Sequence, residues 1–269
     1  MPLISILIAT HNRPDMLREC LTALSLQTFG DFEVWVVNDG GSPVSQVVGE
    51  FRVLDLHTIE GTENRGPGGT RNQALKRAHG EYIALCDDDD LFCPTHLARL
   101  IEKIEKIPLP DLVHSDAELV FFTSRKGRRY PGGRFPFALN MDREVLRFTN
   151  PVIPSTALYR KNLHDKIGLF DETIYHHWEW DWWLRVSAHG KIGRVPRASV
   201  LYGLDAGGGN ISAAHEKMRA SLDALQAKHG LGMLPTSNFY LMTRDPLLAP
   251  WREKTEIVWD GRPFFHAGQ

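Results

Sequence analysis

Cysteine is scarce in this chain. Three cysteines, Cys20, Cys86 and Cys93, stand among 269 residues, too few and odd in number for a disulfide framework. Reduced thiols in a cytosolic protein are the simplest expectation. An excess of basic charge is also missing. Lys and Arg number 31 against 33 Asp and Glu, a net charge of −2, which argues against a nucleic-acid partner. Long hydrophobic runs are lacking. The apolar opening, residues 1–9, has no basic residue before it and meets His11-Asn12-Arg13 at once. It is expected to be neither a signal peptide nor a membrane span. There is no repeat and no low-complexity tract. What remains is an ordinary globular balance, 42% hydrophobic and 24% charged, which excludes disorder as the dominant state.

The order of patterns predicts an α/β chain. Residues 3–9 form a β-rich apolar run, as in a strand buried on both faces. Met16, Leu17, Cys20, Leu21 and Leu24 follow at helical spacing, with Pro14 suited to the first turn. Further strands are expected at 32–37, 52–59 and 81–86, and helices at 70–78 and 94–106. Strands alternating with helices predict a doubly wound, Rossmann-like, mostly parallel sheet flanked by helices. Ligands bind beyond the carboxyl ends of such strands. Three polar clusters fall there: residues 10–13, 38–40 and 87–90. Past residue 110 the texture changes. Strand is expected at 112–122, a basic turn at 125–129, a loop around Gly132, Gly133 and Pro136, strand at 152–159, helix at 178–189, strand at 192–202 and helix at 213–229. The last forty residues are aromatic and show no period.

Asp87-Asp88-Asp89-Asp90 is the strongest local bias. Two like charges about 4 Å apart repel by roughly 4 kcal/mol at an effective dielectric near 20. A folded site holding several carboxylates together therefore suits a hard cation, Mg²⁺ or Mn²⁺. A solvated loop or a helix start is the plain alternative. Residues 61–69 are Gly-rich and precede a helix, so their N–H groups can meet phosphate. Arg71 stands where a dinucleotide fingerprint needs its third glycine, which disfavours a dinucleotide oxidoreductase. Its guanidinium can fork onto phosphate oxygens or reach a base. The adjacent pair His176-His177 lacks metal-ligand spacing.

These segments, in this order, resemble the family 2 glycosyltransferases of the GT-A fold. The resemblance rests on residues 5–13, 27–29 with 33–40, 64–72, the acidic tract as a D-x-D motif, and Glu179-Trp180-Asp181-Trp182-Trp183-Leu184-Arg185. It covers about residues 2–212. It divides the chain into a GT-A domain (1–110 nucleotide-binding, 111–212 acceptor and catalytic) and a C-terminal extension, 213–269. It implies a nucleotide-sugar donor, with a UDP-sugar favoured. Asp39 would accept from the N3–H of uracil, and a turn residue is its plain alternative. Thr10, His11, Asn12 and Arg13 would line the base and ribose pocket. Gly40, Asn64, Gly66 and Arg71 belong to the same donor site. Asp87 and Asp88 would contact the donor, and Asp89, with Asp87, the metal.

The resemblance also implies inverting transfer, in which one carboxylate removes the acceptor proton. Glu179 falls at the base position, where the family more often has aspartate, and Asp181 is its rival. One departure stands out. A family segment carrying an arginine and a histidine reads here as Tyr202-Gly203-Leu204-Asp205, with Asp205 near the histidine position. Asp205 can supply an oxygen ligand, or its presence can mean weaker metal dependence. The Gly-rich residues after it are expected to order over the donor. The acceptor is expected to be a hydroxyl of a glycan or small molecule. A peripheral membrane contact and a homodimer stay open, as does a non-catalytic module that binds nucleotide sugars or glycans.

Overall fold

The computed structural model describes residues 1–125, 127–205 and 215–263, and side chains apart from Asp205 and residues 215–217. Strands β1 (Ile4–Thr10), β2 (Phe32–Asn38), β3 (Leu56–Glu60) and β4 (Tyr82–Asp87) lie parallel in the order β4-β1-β2-β3. Helices α1 (Pro14–Ser25), α2 (Ser45–Val48) and α3 (Gly66–Leu75) connect them. Parallel connection puts every strand end that follows β1, β2 and β4 on one side of the sheet. The strands are apolar on both faces because both are covered. Ile4, Ile6 and Ile8 pack in one cluster with Leu17 and Leu21 of α1. Leu7, Val37 and Leu85 pack in the opposite cluster with Ala74 and Leu75 of α3. Cys20, Cys86 and Cys93 are buried free thiols.

The second half widens this sheet. Its elements are β5 (Leu91–Phe92), α4 (His96–Ile104), β6 (Leu112–Arg125), β7 (Arg128–Phe137), β8 (Ala157–Arg160), α5 (Leu163–Ile167), α6 (Trp178–His189), β9 (Ile192–Asp205), α7 (His215–His229), α8 (Phe239–Met242) and β10 (Glu256–Ile257). Strand β8 runs antiparallel between β4 and β6, while β9 is parallel to β6. The outcome is the expected mostly parallel sheet flanked by helices. Residues 218–263 join the same body. β10 pairs with β9, and Leu222, Leu225 and Leu234 are buried in the cluster that holds Trp182 and Trp183.

Two expectations fail locally. The chain turns at Gly127 (φ 73°), within the expected basic turn, but the residues around Gly132, Gly133 and Pro136, expected as a loop, return as β7 along β6. β7 bonds to β6 alone, and an outer strand tolerates Pro131 and Pro136. Its arginines are engaged. Arg129 donates to Glu19 at 2.5 Å, and Arg134 forks onto Glu118 with both distances at 2.8 Å. Secondly, α3 starts at Gly66, four residues before the expected start. The cause lies on the neighbouring strand end, where Asp39 caps it.

Candidate active site

The loops after β1 and β2 lock together first. The Asp39 N–H donates to the Thr10 carbonyl at 2.8 Å, and the His11 ring bonds the Asp39 carbonyl at 2.9 Å. Asn12 sits at φ 55°, and its side-chain oxygen accepts from the Ser42 N–H. The Asp39 carboxylate accepts from the N–H groups of Arg65 (2.7 Å) and Gly66 (3.1 Å) at the start of α3. Anionic groups are favoured there because the first turn of a helix has free N–H groups. The glycines have steric reasons. A Cβ on Gly40 would meet the Glu63 backbone at 2.7 Å, and one on Gly66 (φ 75°) would collide with the Tyr175 ring. Asn12, Gly40 and Gly66 therefore shape the floor, while Thr10, His11, Arg13, Asp39 and Asn64 line a cavity of about 350 Å³.

The acidic tract forms the next wall. Thr10 donates to Asp88 at 2.6 Å. Arg13 bridges Asp88 (3.3 Å) and Asp89 (3.0 Å). Arg71, 1% exposed, pairs with Asp87, donates to the Cys86 carbonyl at 3.1 Å and lies 4.9 Å over the Trp178 ring. Asp90 is fully buried and accepts from the Gly203 N–H, tying the tract to β9. Burial, then the Asp89 charge, pushes the Asp88 carboxyl up to about 7. Burial also raises Asp89, against the pull of Arg13. Burial thus disfavours the charged form of both carboxyls, and Arg13 only partly offsets it.

Glu179 and Asp181, two residues apart on α6, face different surroundings. Glu179 lines the cavity and is 7% exposed. Asn150 donates to its Oε1 at 3.1 Å. Burial above all, and then the Asp87 charge, pushes its carboxyl up to about 8. Asp181 is fully buried away from the cavity. It takes two bonds from Arg185 (2.9 and 2.7 Å) and one each from Lys228 and His229 (2.7 Å). Burial opposes its charge, but these hydrogen bonds outweigh it and hold the carboxyl below its ordinary value. Trp182 and Trp183 are core residues, and Trp178 and Trp180 reach the cavity wall. The side chain of Asp205 and the Gly-rich residues from 206 lie outside the described residues.

The glycosyl transferase family 2 model matches residues 5–168. The chain belongs to glycosyl transferase family 2. It is 41% identical over 263 residues to the uncharacterized glycosyltransferase YwdF of Bacillus subtilis, covering 97% of each chain. It is 28% identical over 193 residues to the amylovoran biosynthesis glycosyltransferase AmsE of Erwinia amylovora, covering 69% of this chain and 70% of that one. Two solved structures share its GT-A fold. Staphylococcus aureus TarS 1–349 in complex with UDP-GlcNAc matches with a TM-score of 0.61 at 21% identity, over 84% of this chain and 67% of that one. The mannosyltransferase PcManGT of Pyrobaculum calidifontis, in complex with GDP-Man and Mn²⁺, matches with a TM-score of 0.61 at 18% identity, over 87% and 66%.

Sequence motifs miss the far wall of the transferase's cavity. Asn150, Tyr175, Met218, Leu222, Phe239 and Met242 all contribute to it. None belongs to a spaced motif, and only the fold brings α7 and α8 over the site. The wall is held by aromatic contacts, with Phe239 5.2 Å from Phe137 and 5.3 Å from Tyr202. The tract's adjacent carboxyls, an all-oxygen donor set, fit a hard divalent cation. Its carboxylates do not form a preassembled three-ligand group among the described residues. Such an ion needs only one or two protein carboxylates when phosphate and water complete its shell.

Proposed function

We propose that this transferase moves a sugar from a nucleoside-diphosphate donor, a UDP-sugar by preference, to a hydroxyl acceptor in one inverting displacement, with Glu179 as the base. The observation that carries this reading is the contrast on α6. Glu179 is buried on the cavity wall with its proton affinity pushed up to about 8, whereas Asp181 is held by three basic groups away from the cavity. A base needs an accessible lone pair and a proton affinity near the working pH. Asp181 has its lone pairs occupied.

Asp39, with His11 and Asn64 beside it, receives the nucleobase. A carboxylate only accepts, so it selects an edge that offers an N–H. Asp87 and Asp89 would hold Mn²⁺ or Mg²⁺. Bound there, the ion neutralises charge that develops on the departing nucleoside diphosphate. Arg13 and Arg71 already balance the tract and stand where diphosphate oxygens would enter. Asn150 orients Glu179 by bonding one carboxylate oxygen, leaving the other for the acceptor hydroxyl. The acceptor, a glycan or small molecule, enters along the wall of α7 and α8. As its oxygen bonds to the anomeric carbon, the bond to the diphosphate breaks and the hydroxyl proton passes to Glu179.

The test compares Glu179→Gln with Asp181→Asn. Glu179→Gln should slow release of nucleoside diphosphate in the presence of acceptor by about 10²–10⁴-fold while donor affinity stays within about twofold, since the variant removes only a proton acceptor. Loss of turnover in folded Asp181→Asn, with Glu179→Gln active, would overturn the assignment.

A further inference from the structure

A second cluster of charged and imidazole groups lies at the opposite end of the strands. Glu33 is the second residue of β2 and His57 the second of β3. Asp39 and the cavity are six residues farther along β2, about 20 Å at 3.3 Å per residue. The register pairs Val34 with Leu56 and Trp35 with His57. One step back, Asp55 stands opposite Glu33. Like charges directly opposite in neighbouring strands are destabilising without a cation. Glu33 is 1% exposed, and its ion-pair partners among the described residues, like those of Asp55, are histidines alone. A buried carboxylate is ordinarily paired with a lasting charge or bound to a metal.

The geometry points to a second metal site, in which Glu33, Asp55 and His57, with His79 beside Glu33, take a borderline divalent ion of the Zn²⁺ type. The atoms converge as such a site requires. The ligand atoms of Glu33, Asp55 and His57 lie within 4.8 Å of one another. His57 Nε2 is 3.5 Å from Glu33 Oε2 and 3.2 Å from Asp55 Oδ1, and His79 Nδ1 is 3.0 Å from the same Glu33 oxygen. Zinc–ligand bonds near 2.0–2.1 Å in a tetrahedron put ligand atoms about 3.3–3.4 Å apart. The outer contacts are present as well. Ser5 and the His79 N–H each donate to Glu33 Oε1 at 2.6 Å, leaving Oε2 for the ion. Trp35 stacks on His57 at 4.5 Å and fixes its ring. Burial works against the Glu33 charge, but these hydrogen bonds prevail and hold the carboxyl at about 2, so the ligand is ionised. Two imidazoles suit Zn²⁺ or Co²⁺ better than the Mg²⁺ or Mn²⁺ that fits the aspartate tract. Bound here, the ion would clip the outer strand β3 to β2.

The experiment uses the full chain without a histidine tag, stripped with chelator. Zn²⁺ is titrated by calorimetry, and Co²⁺ by its visible absorption. The expected result is one equivalent of Zn²⁺ that survives Asp89→Asn, tetrahedral Co²⁺ bands, and at least tenfold weaker binding in both His57→Gln and Asp55→Asn. Asp55 is 61% exposed, so Asp55→Asn keeps the test valid if His57→Gln does not fold. The proposal is overturned if Zn²⁺ does not bind saturably, if it binds folded Asp55→Asn as tightly as the parent, or if Asp89→Asn removes it.

Discussion

The two sides of the cavity are built from different materials. The side made by the ends of β1, β2 and β4 is polar and held by short-range bonds between loops: Asp39 on α3, Thr10 on Asp88, Arg13 across Asp88 and Asp89. The side made by α6, α7 and α8 is aromatic and aliphatic, with Trp178, Trp180, Met218 and Phe239 around a single buried carboxyl. A preorganised polar wall can hold charge, as a diphosphate demands. An apolar wall excludes water and raises the proton affinity of the one acid it surrounds. On the proposed reading, donor recognition and proton removal fall to different walls, and changes to each should separate in the kinetics.

The largest expected effect lies on the polar wall. Asp89→Ala should lower transfer by about a thousandfold, in line with several kcal/mol of transition-state charge stabilisation. It should also abolish divalent-dependent donor binding in calorimetry. Full activity in this variant, or in excess chelator, would remove the metal from the mechanism.

Across the cavity, Glu179→Gln should cost about 10²–10⁴-fold in kcat, the usual worth of a positioned base, with donor Kd nearly unchanged. Asp181→Asn should behave differently. Removing its charge leaves Arg185, Lys228 and His229 around a neutral group, and breaking a buried ion pair costs about 3–5 kcal/mol. Its signature is a lower Tm. A variant of Asp181 that keeps its Tm and loses turnover would erase the contrast between the two carboxylates.

This contrast was only half legible in the sequence. The strand-end clusters at residues 10–13, 38–40 and 87–90 could be placed because alternating strands and helices dictate where loops gather. Glu179 and Asp181 could be singled out but not ranked, since the groups that separate them come from elsewhere. Asn150 follows a short 3₁₀ turn at Val145–Arg147 with no motif, and Lys228 and His229 close a helix some fifty residues later in the chain. The β6–β7 hairpin escapes the sequence pattern for a related reason. Its glycines and prolines read as loop, and only partners such as Glu19 and Glu118 turn Arg129 and Arg134 into strand residues.

A smaller effect tests the apolar wall alone. Phe239→Ala removes a ring packed on Phe137 and Tyr202. Aromatic contacts of this kind are worth about 0.5–1.5 kcal/mol. The acceptor KM should rise roughly three- to tenfold, while donor Kd measured without acceptor stays constant. A matching loss of donor affinity would mean that the two walls do not divide the substrates.

The last effect is in stability, and it carries a definite sign. Glu179 keeps its proton to about 8 in the fold, against an ordinary value of 4.5. Between those values the folded chain binds more protons than the unfolded one, so this group's contribution is complete below about 4.5 and is lost as pH rises through about 8. Glutamine mimics the protonated form at every pH. Glu179→Gln should therefore match the parent near pH 4.5 and exceed it in stability by at least about 1 kcal/mol near pH 8, one pKa unit being worth 1.36 kcal/mol. The same titration should appear in the parent as a kcat/KM that climbs toward a plateau with an apparent pKa near 8, because only the ionised carboxylate accepts the acceptor's proton. Thermal melts of both proteins across this range read the first effect without any substrate. Equal melting temperatures at pH 8, or a kcat/KM plateau already reached at pH 6, would mean that Glu179 is ionised in the folded protein, and the apolar wall would lose its role in setting the base.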